Sequence, residues 1–377
     1  MAEPNEAELI SIEEKVSDDD KAVVESDLKG IRAFVSGLSA DDIKSGDWFA
    51  RLLAVSLPLY AKKVDAAYFK EKYKGLPADA IVARRITLAT RYAAIEGGLS
   101  SGAYTIAVAS TIGSLGGASP ITVPAAVTSM MVDIAYTTQL QLQLAYDVSV
   151  LYGLPIDVED PEDLWKLIRV AFMVKGGELV REGGMKAVPA LVRPLIKKFI
   201  SGRTLAAARS LPVVGQHLLQ RNIIKIGIPL VGVPLAVVLN RWTTKVAGEH
   251  AKKVFRAEAQ TIEITQQVME DVDDAGLALW TGWFTICDGK ISERESLFMS
   301  CLTKVARDQH GVVDNELEQV IDLTATRFWR RVDQAVDAGT GLAGLTDVAI
   351  AAAEIDGGMT RHEKQVVREL RRRTEAV

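Results

Sequence analysis

Cysteine is scarce in this sequence, because the 377 residues include only Cys287 and Cys301. Two cysteines cannot build a disulfide framework, so nothing points to an oxidising compartment. Aromatic residues make up only 6%, and the dominance of Ala, Val, Leu and Ile favours packed helices over a β-sandwich. The N-terminal residues are acidic and lack the apolar segment of a secretory signal or the arginines of a transit peptide. These absences predict a cytoplasmic protein.

Recognisable catalytic and cofactor motifs are also missing. No two of the four histidines have the spacing of a metal-binding pair on a helix, and the sequence has no H-E-x-x-H and no C-x-x-C. A Gly-Lys-Ser/Thr phosphate loop, a G-x-S-x-G elbow and a dinucleotide-binding fingerprint are absent as well. We therefore expect a non-enzymatic protein with no catalytic residues. A hydrolase whose Ser, His and carboxylate meet only in the folded chain is a further alternative.

Charge is unevenly distributed along the chain. Residues 1–30 carry ten acidic and three basic residues, which predicts a poorly ordered acidic arm. Residues 166–225 carry twelve basic and two acidic residues, interleaved with apolar ones. Such a region suits an anionic lipid surface or nucleic acid, or is simply a solvated helix face. We favour lipid over nucleic acid and predict these membrane-facing residues: Lys186, Arg193, Lys197, Lys198, Arg203 and Arg209.

An uncharged run of 36 residues, 97–132, is the most unusual segment. Its length would suffice to span a bilayer, but it contains six Gly and ten Ser or Thr. We therefore predict a hairpin buried in the protein, with Gly113, Gly116 and Gly117 at a close helix crossing. Asp133 follows this run in the apolar first half of a helix, where Thr137 and Gln141 continue a polar stripe on the same face. Such a carboxylate is most often a structural partner for an arginine.

Helix signals surround this run. Residues 41–76 are predicted to be helical, with Ser39 as a possible cap and Pro58 as a kink or break. A second helix is expected from Pro77 to Gly97–Gly98. A long helix is expected to begin near Pro124 and to end before Gly153.

A short repeat marks the C-terminal part of the chain. Residues 288–295 and 356–363 both read Asp-Gly-x-apolar-Ser/Thr-x-x-Glu. The pattern predicts a helix end at Gly and a capping box between the Ser or Thr and the Glu. A divalent cation, calcium above all, is an alternative occupant of these turns, although neither segment has the spacing of an EF-hand. Its candidate ligands are Asp288, Glu293, Glu295, Asp356 and Glu363.

Residues 80–255 resemble the EcsC family. The resemblance rests on the Gly-rich run, the long helix around Asp133, Tyr152-Gly153, Asp160-Pro161 and a later element that contains Pro229, Gly232 and Asn240. It implies a bacterial protein associated with membranes or transport systems. Residues 271–377 resemble the TerB-like (tellurite-resistance) helical domain, on the strength of the Asp-Gly repeat. That resemblance implies envelope or metal-stress settings, a protein-interaction role and possible cation binding.

The sequence as a whole predicts an all-α fold in two domains. After the arm at 1–30 come an EcsC-like helical domain at 31–270, which carries the buried Gly-rich hairpin, and a TerB-like helical bundle at 271–377. The expected function is that of a non-enzymatic, peripheral lipid-binding protein, at the inner face of the plasma membrane. Its partners would be anionic membrane lipids or a bound lipid. The alternative is an adaptor linked to metal or envelope stress, which would bind a membrane transport or stress-complex protein through the TerB-like domain.

Overall fold

Regular structure in this protein is helical throughout the part that is described. The computed structural model describes residues 17–113, 119–154, 156–173, 216, 218, 232–287, 291–312 and 323–374. Every regular element in these ranges is an α-helix. The prediction of an all-α fold is therefore confirmed for these residues.

The chain divides into two compact units, Met1–Phe255 and Arg256–Val377. The first unit contains seven described helices and the beginning of an eighth: α1 Asp18–Ser36, α2 Ala40–Ser45, α3 Asp47–Ala61, α4 Ala66–Lys72, α5 Ala78–Gly113, α6 Ser119–Leu151, α7 Pro161–Phe172 and α8 Gly232–Glu270. The second unit contains the end of α8 and five more: α9 Ala275–Ile286, α10 Glu293–His310, α11 Ala325–Ala338, α12 Leu345–Glu354 and α13 Arg361–Thr374.

The centre of the first unit is the pair α5 and α6, which pack along each other. Helices α1, α3 and α7 pack against α6 and cover its apolar faces. The core between them contains large side chains that are almost fully buried, among them Trp48, Phe49, Met131, Leu142 and Phe255. Burial of this kind contributes roughly 1.5–3 kcal/mol for each large apolar side chain, which is why these helices stay together.

Three predicted helix boundaries in this unit are wrong. Residues 41–76 form three helices rather than one, because Gly46 adopts a left-handed conformation with φ 84° between α2 and α3. Pro58 lies inside α3 and does not end it. Helix α5 continues through Gly97 and Gly98 to Gly113, and α6 begins at Ser119, ahead of Pro124. Packing against neighbouring helices offsets the roughly 1 kcal/mol that a glycine costs within a helix.

Only part of the predicted Gly-rich hairpin can be compared with the structure. Residues 97–113 and 119–132 are helical, and Gly113 is the last residue of α5. Gly116 and Gly117 lie outside the described residues, as do the side chains of residues 100–127. The burial of this segment and the close crossing at its glycines therefore stay predictions.

The second unit is built around the Asp-Gly repeat. Each copy joins two helices, α9 with α10 and α12 with α13, and the first helices of the two copies pack against each other. The core between them buries large side chains such as Leu277, Phe298, Phe328, Leu345 and Leu370.

Both predicted capping boxes of the repeat are confirmed. The Ser292 hydroxyl accepts from the N–H of Glu295, whose carboxylate accepts from the N–H of Ser292. The Thr360 N–H donates to the carboxylate of Glu363 at 2.6 Å, and the Glu363 N–H donates back to the threonine hydroxyl at 3.2 Å. Gly357, in the turn of the second copy, has φ 101°, as the pattern requires. These contacts explain why both turns carry Ser or Thr three residues before Glu.

Candidate functional site

Helix α8 lies against α5 and α6 at very short range. A Cβ atom placed on Gly248 would lie 2.9 Å from Ile86 of α5 and 2.9 Å from Leu144 of α6. Near the other end of the contact, a Cβ atom placed on Gly98 of α5 would lie 3.8 Å from the side chain of Val237 of α8. Because Val237 pairs with Gly98 while Gly248 pairs with Ile86, α8 runs antiparallel to α5.

A buried polar cluster fixes this arrangement. The side-chain amide of Asn240, in α8, donates to Glu96 of α5 at 3.1 Å and to Asp133 of α6 at 2.5 Å. Glu96 is fully buried and Asn240 is 5% exposed. The observed partner of Asp133 is thus an asparagine amide and not the arginine that the sequence suggests. One neutral side chain with two N–H donors joins three helices without burying a further charge.

A cavity of about 330 Å³ lies between α5 and α8, and we call it the α5–α8 groove. Much of its lining is apolar, and the apolar residues come mainly from α5: Ala83, Ile86, Ala94, Ile95 and Val237. Its volume is at the lower end of the roughly 300–1,000 Å³ that is usual for small-molecule sites. A cavity of this size and character suits the apolar part of a small ligand.

The polar lining residues come from both helices, Thr87, Thr90 and Arg91 from α5 and three from one face of α8. Val237, Arg241, Lys245 and Glu249 follow each other at intervals of four residues, so they share one side of the helix. Thr90, on the α5 side, is 7% exposed, and its hydroxyl has no hydrogen-bond partner among the described residues. A buried hydroxyl without a partner costs free energy.

The charges around the α5–α8 groove are only partly compensated. Arg91 is held by an ion pair with Asp20 of α1, at 2.8 Å. Among the described residues, Arg241 and Lys245 have no ion-pair partner, although both line the groove. Glu249 is the single acidic residue of the lining. The α8 wall therefore presents two unpaired cations beside an apolar surface, which is the arrangement that an anionic amphiphile requires.

A second buried polar cluster of the first unit is internally satisfied. The carboxylate of Asp147 is fully buried and accepts from the Tyr60 hydroxyl at 2.7 Å and from Nε of Arg85 at 2.7 Å. Burial raises the pKa of Asp147 above its usual range, and the Arg85 guanidinium and the Tyr60 hydrogen bond oppose this shift. Since both carboxylate oxygens of Asp147 have protein partners, the cluster joins α3, α5 and α6.

Three of the five metal-ligand candidates have described side chains. Glu295 and Glu363 bind backbone N–H groups in their capping boxes, and Asp356 is exposed. Asp288 and the side chain of Glu293 lie outside the described residues. Among the residues that are described, no group of three or more His, Cys, Asp or Glu is placed to hold a metal ion. Calcium binding at these turns stays a prediction.

The predicted membrane-facing basic residues cannot be placed. All six belong to the segment at 174–215, which lies outside the described residues: Lys186, Arg193, Lys197, Lys198, Arg203 and Arg209. Sequence reasoning missed the α5–α8 groove, although the four-residue spacing of Val237, Arg241, Lys245 and Glu249 was a usable signal. In the part of the chain that is described, no helix is both long and apolar enough to cross a bilayer.

Comparisons with protein-family models, with curated proteins and with solved structures find no match for this chain. The resemblances to the EcsC family and to TerB-like domains therefore stay predictions.

Proposed function

We propose that this protein is a non-enzymatic, peripheral membrane protein that binds anionic lipid and that the α5–α8 groove holds the bound molecule. The observation that carries this proposal is the combination of apolar lining residues, most of them on α5, with the unpaired cations Arg241 and Lys245 on α8. Apolar surface favours the hydrocarbon part of a lipid, and the two cations favour its negative headgroup.

The basic sequence region at 166–225 supports the same function. Lys and Arg near an anionic membrane each contribute about 1 kcal/mol of attraction, so a strongly basic stretch brings the protein to such a surface. In this proposal the basic region provides attachment and the groove provides the binding site. The adaptor, calcium-site and hydrolase hypotheses stay predictions, since no contact among the described residues favours them over lipid binding.

Vesicle flotation tests the proposal with the full-length protein. We expect it to float with vesicles that contain phosphatidylglycerol and to stay behind with vesicles of phosphatidylcholine alone, because the attraction is electrostatic. Replacing Arg241 and Lys245 by Ala should lower the amount of anionic lipid, phospholipids and fatty acids together, that mass spectrometry detects after gel filtration. The matched control replaces Lys252 and Lys253, which are on the same helix but do not line the groove.

Two results would contradict the proposal. Equal flotation with neutral and anionic vesicles, or none with either, would exclude the electrostatic mechanism. Equal lipid content in the Arg241/Lys245 variant and in its control would exclude the α5–α8 groove as the binding site, even if the protein still floats.

A further inference from the structure

We propose that the α5–α8 groove takes a single-chain anionic amphiphile, such as a fatty acid or a lysophospholipid, and not a two-chain phospholipid. This inference rests on the proposed lipid-binding function and specifies the class of ligand. The groove would hold one acyl chain, and Arg241 and Lys245 would bind one negative headgroup.

The volume of the groove limits the number of chains. At about 330 Å³ it lies near the bottom of the range for small-molecule sites, and a two-chain lipid needs far more space. A single chain, in contrast, can lie along the groove, and each methylene that it buries tightens binding about fourfold.

The direction of the chain follows from the antiparallel course of α5 and α8. Val237 pairs with the region around Gly98, so it lies at the same end of the groove as Ala94 and Ile95. This end is apolar. Arg241 and Lys245 follow at one and two helical turns from Val237, towards the other end. The hydrocarbon chain therefore points to the Val237 end, and the headgroup lies on the α8 wall.

Titration calorimetry of the full-length protein tests this inference, with dodecanoate as the probe. Dodecanol serves as the control that keeps the chain without the charge, and inorganic phosphate as an anion without a chain. We expect saturable binding of one dodecanoate, binding of dodecanol weaker by about tenfold or more, and no saturable binding of phosphate alone. Arg241→Gln and Lys245→Gln should each weaken dodecanoate binding about tenfold. Lys253→Gln, on the same helix but outside the groove, should leave it unchanged.

Ala94→Trp tests whether a chain lies in the groove. The tryptophan should block the chain and abolish dodecanoate binding. Melting curves and circular dichroism show whether the variant is folded. If it fails to fold, Arg241→Gln and Lys245→Gln still test the site, because neither side chain belongs to the buried core.

The outcomes distinguish this inference from the proposed function. Flotation with anionic vesicles together with no dodecanoate binding would overturn the single-chain inference and leave the proposed function standing. Loss of both would overturn both. Saturable binding of phosphate as strong as that of dodecanoate, or unchanged dodecanoate binding by a folded Ala94→Trp variant, would also overturn the inference, because neither agrees with a chain in the groove.

Discussion

The close approach of α8 to α5 and α6 can be tested at Gly248. In Gly248→Ala the new Cβ atom would lie 2.9 Å from Ile86 and from Leu144, whereas carbon atoms in contact are normally about 3.5–4.0 Å apart. Both neighbours must move, and overpacking of this kind costs about 1–3 kcal/mol. Alanine also stabilises a helix by about 1 kcal/mol relative to glycine, which hides part of the cost.

Gly30 in α1 provides the matched control. It is an exposed glycine within a helix, and a Cβ atom placed on it meets nothing within 4 Å. Gly30→Ala therefore gains the helix propensity without the overpacking and should stabilise the protein by up to about 1 kcal/mol. The difference between the two variants isolates the packing cost, which we expect to be about 1–3 kcal/mol.

Urea unfolding followed by circular dichroism measures this difference, with a separate transition allowed for each unit. Gly248→Ala should unfold at a lower urea concentration than Gly30→Ala, in the transition of the first unit. If both substitutions stabilise that unit equally, α8 does not approach α5 and α6 as closely as described, and the geometry of the α5–α8 groove would have to be revised.

Three further predictions concern other parts of the chain. Tyr60→Phe removes the hydroxyl that donates to the buried carboxylate of Asp147, so we expect a loss of about 1–3 kcal/mol and a lower melting temperature; an unchanged value would mean that water replaces the bond. Ser292→Ala removes the N-cap of α10 and should cost about 0.5–2 kcal/mol in urea unfolding of the second unit, with no effect on the first. Burial lowers the pKa of His250 below its ordinary 6.5, so protonation of this side chain disfavours the folded state and stability should fall as the pH drops below 6.5. Below pH 6.5 the melting temperature of the wild type should therefore fall more steeply with pH than that of His250→Gln. The same dependence on pH in both proteins would contradict this.

Local signals in the sequence were reliable where the structure depends on neighbouring residues alone. The capping boxes at Ser292 and Thr360 follow from a pattern of four residues, and both are present. Asp160 and Pro161 likewise begin α7 as their residue types predict. In each case the partner of every hydrogen bond lies within the same turn of the chain, so no knowledge of the fold was needed.

Boundaries and contacts that depend on distant segments could not be predicted in this way. Gly97 and Gly98 signal a helix end in isolation, yet α5 continues through them, since this part of α5 packs against other helices. Asp133 suggested an arginine partner, and only the packing of α8 against α6 shows that Asn240 takes that place. The α5–α8 groove joins residues about 150 positions apart, and nothing in one sequence indicates which two helices pair.

Helix α8 links the stability of the first unit to its candidate site. Its buried face carries Asn240, Thr244 and Gly248, which are held between α5 and α6. Arg241 and Lys245 each directly follow a residue of that face, and consecutive residues on a helix are about 100° apart. The contacts that fix the buried face therefore also fix the direction of the two cations. A change at Asn240 or Gly248 that rotates α8 would turn Arg241 and Lys245 away from the groove, so the two buried residues would act as positioning residues for the proposed lipid site.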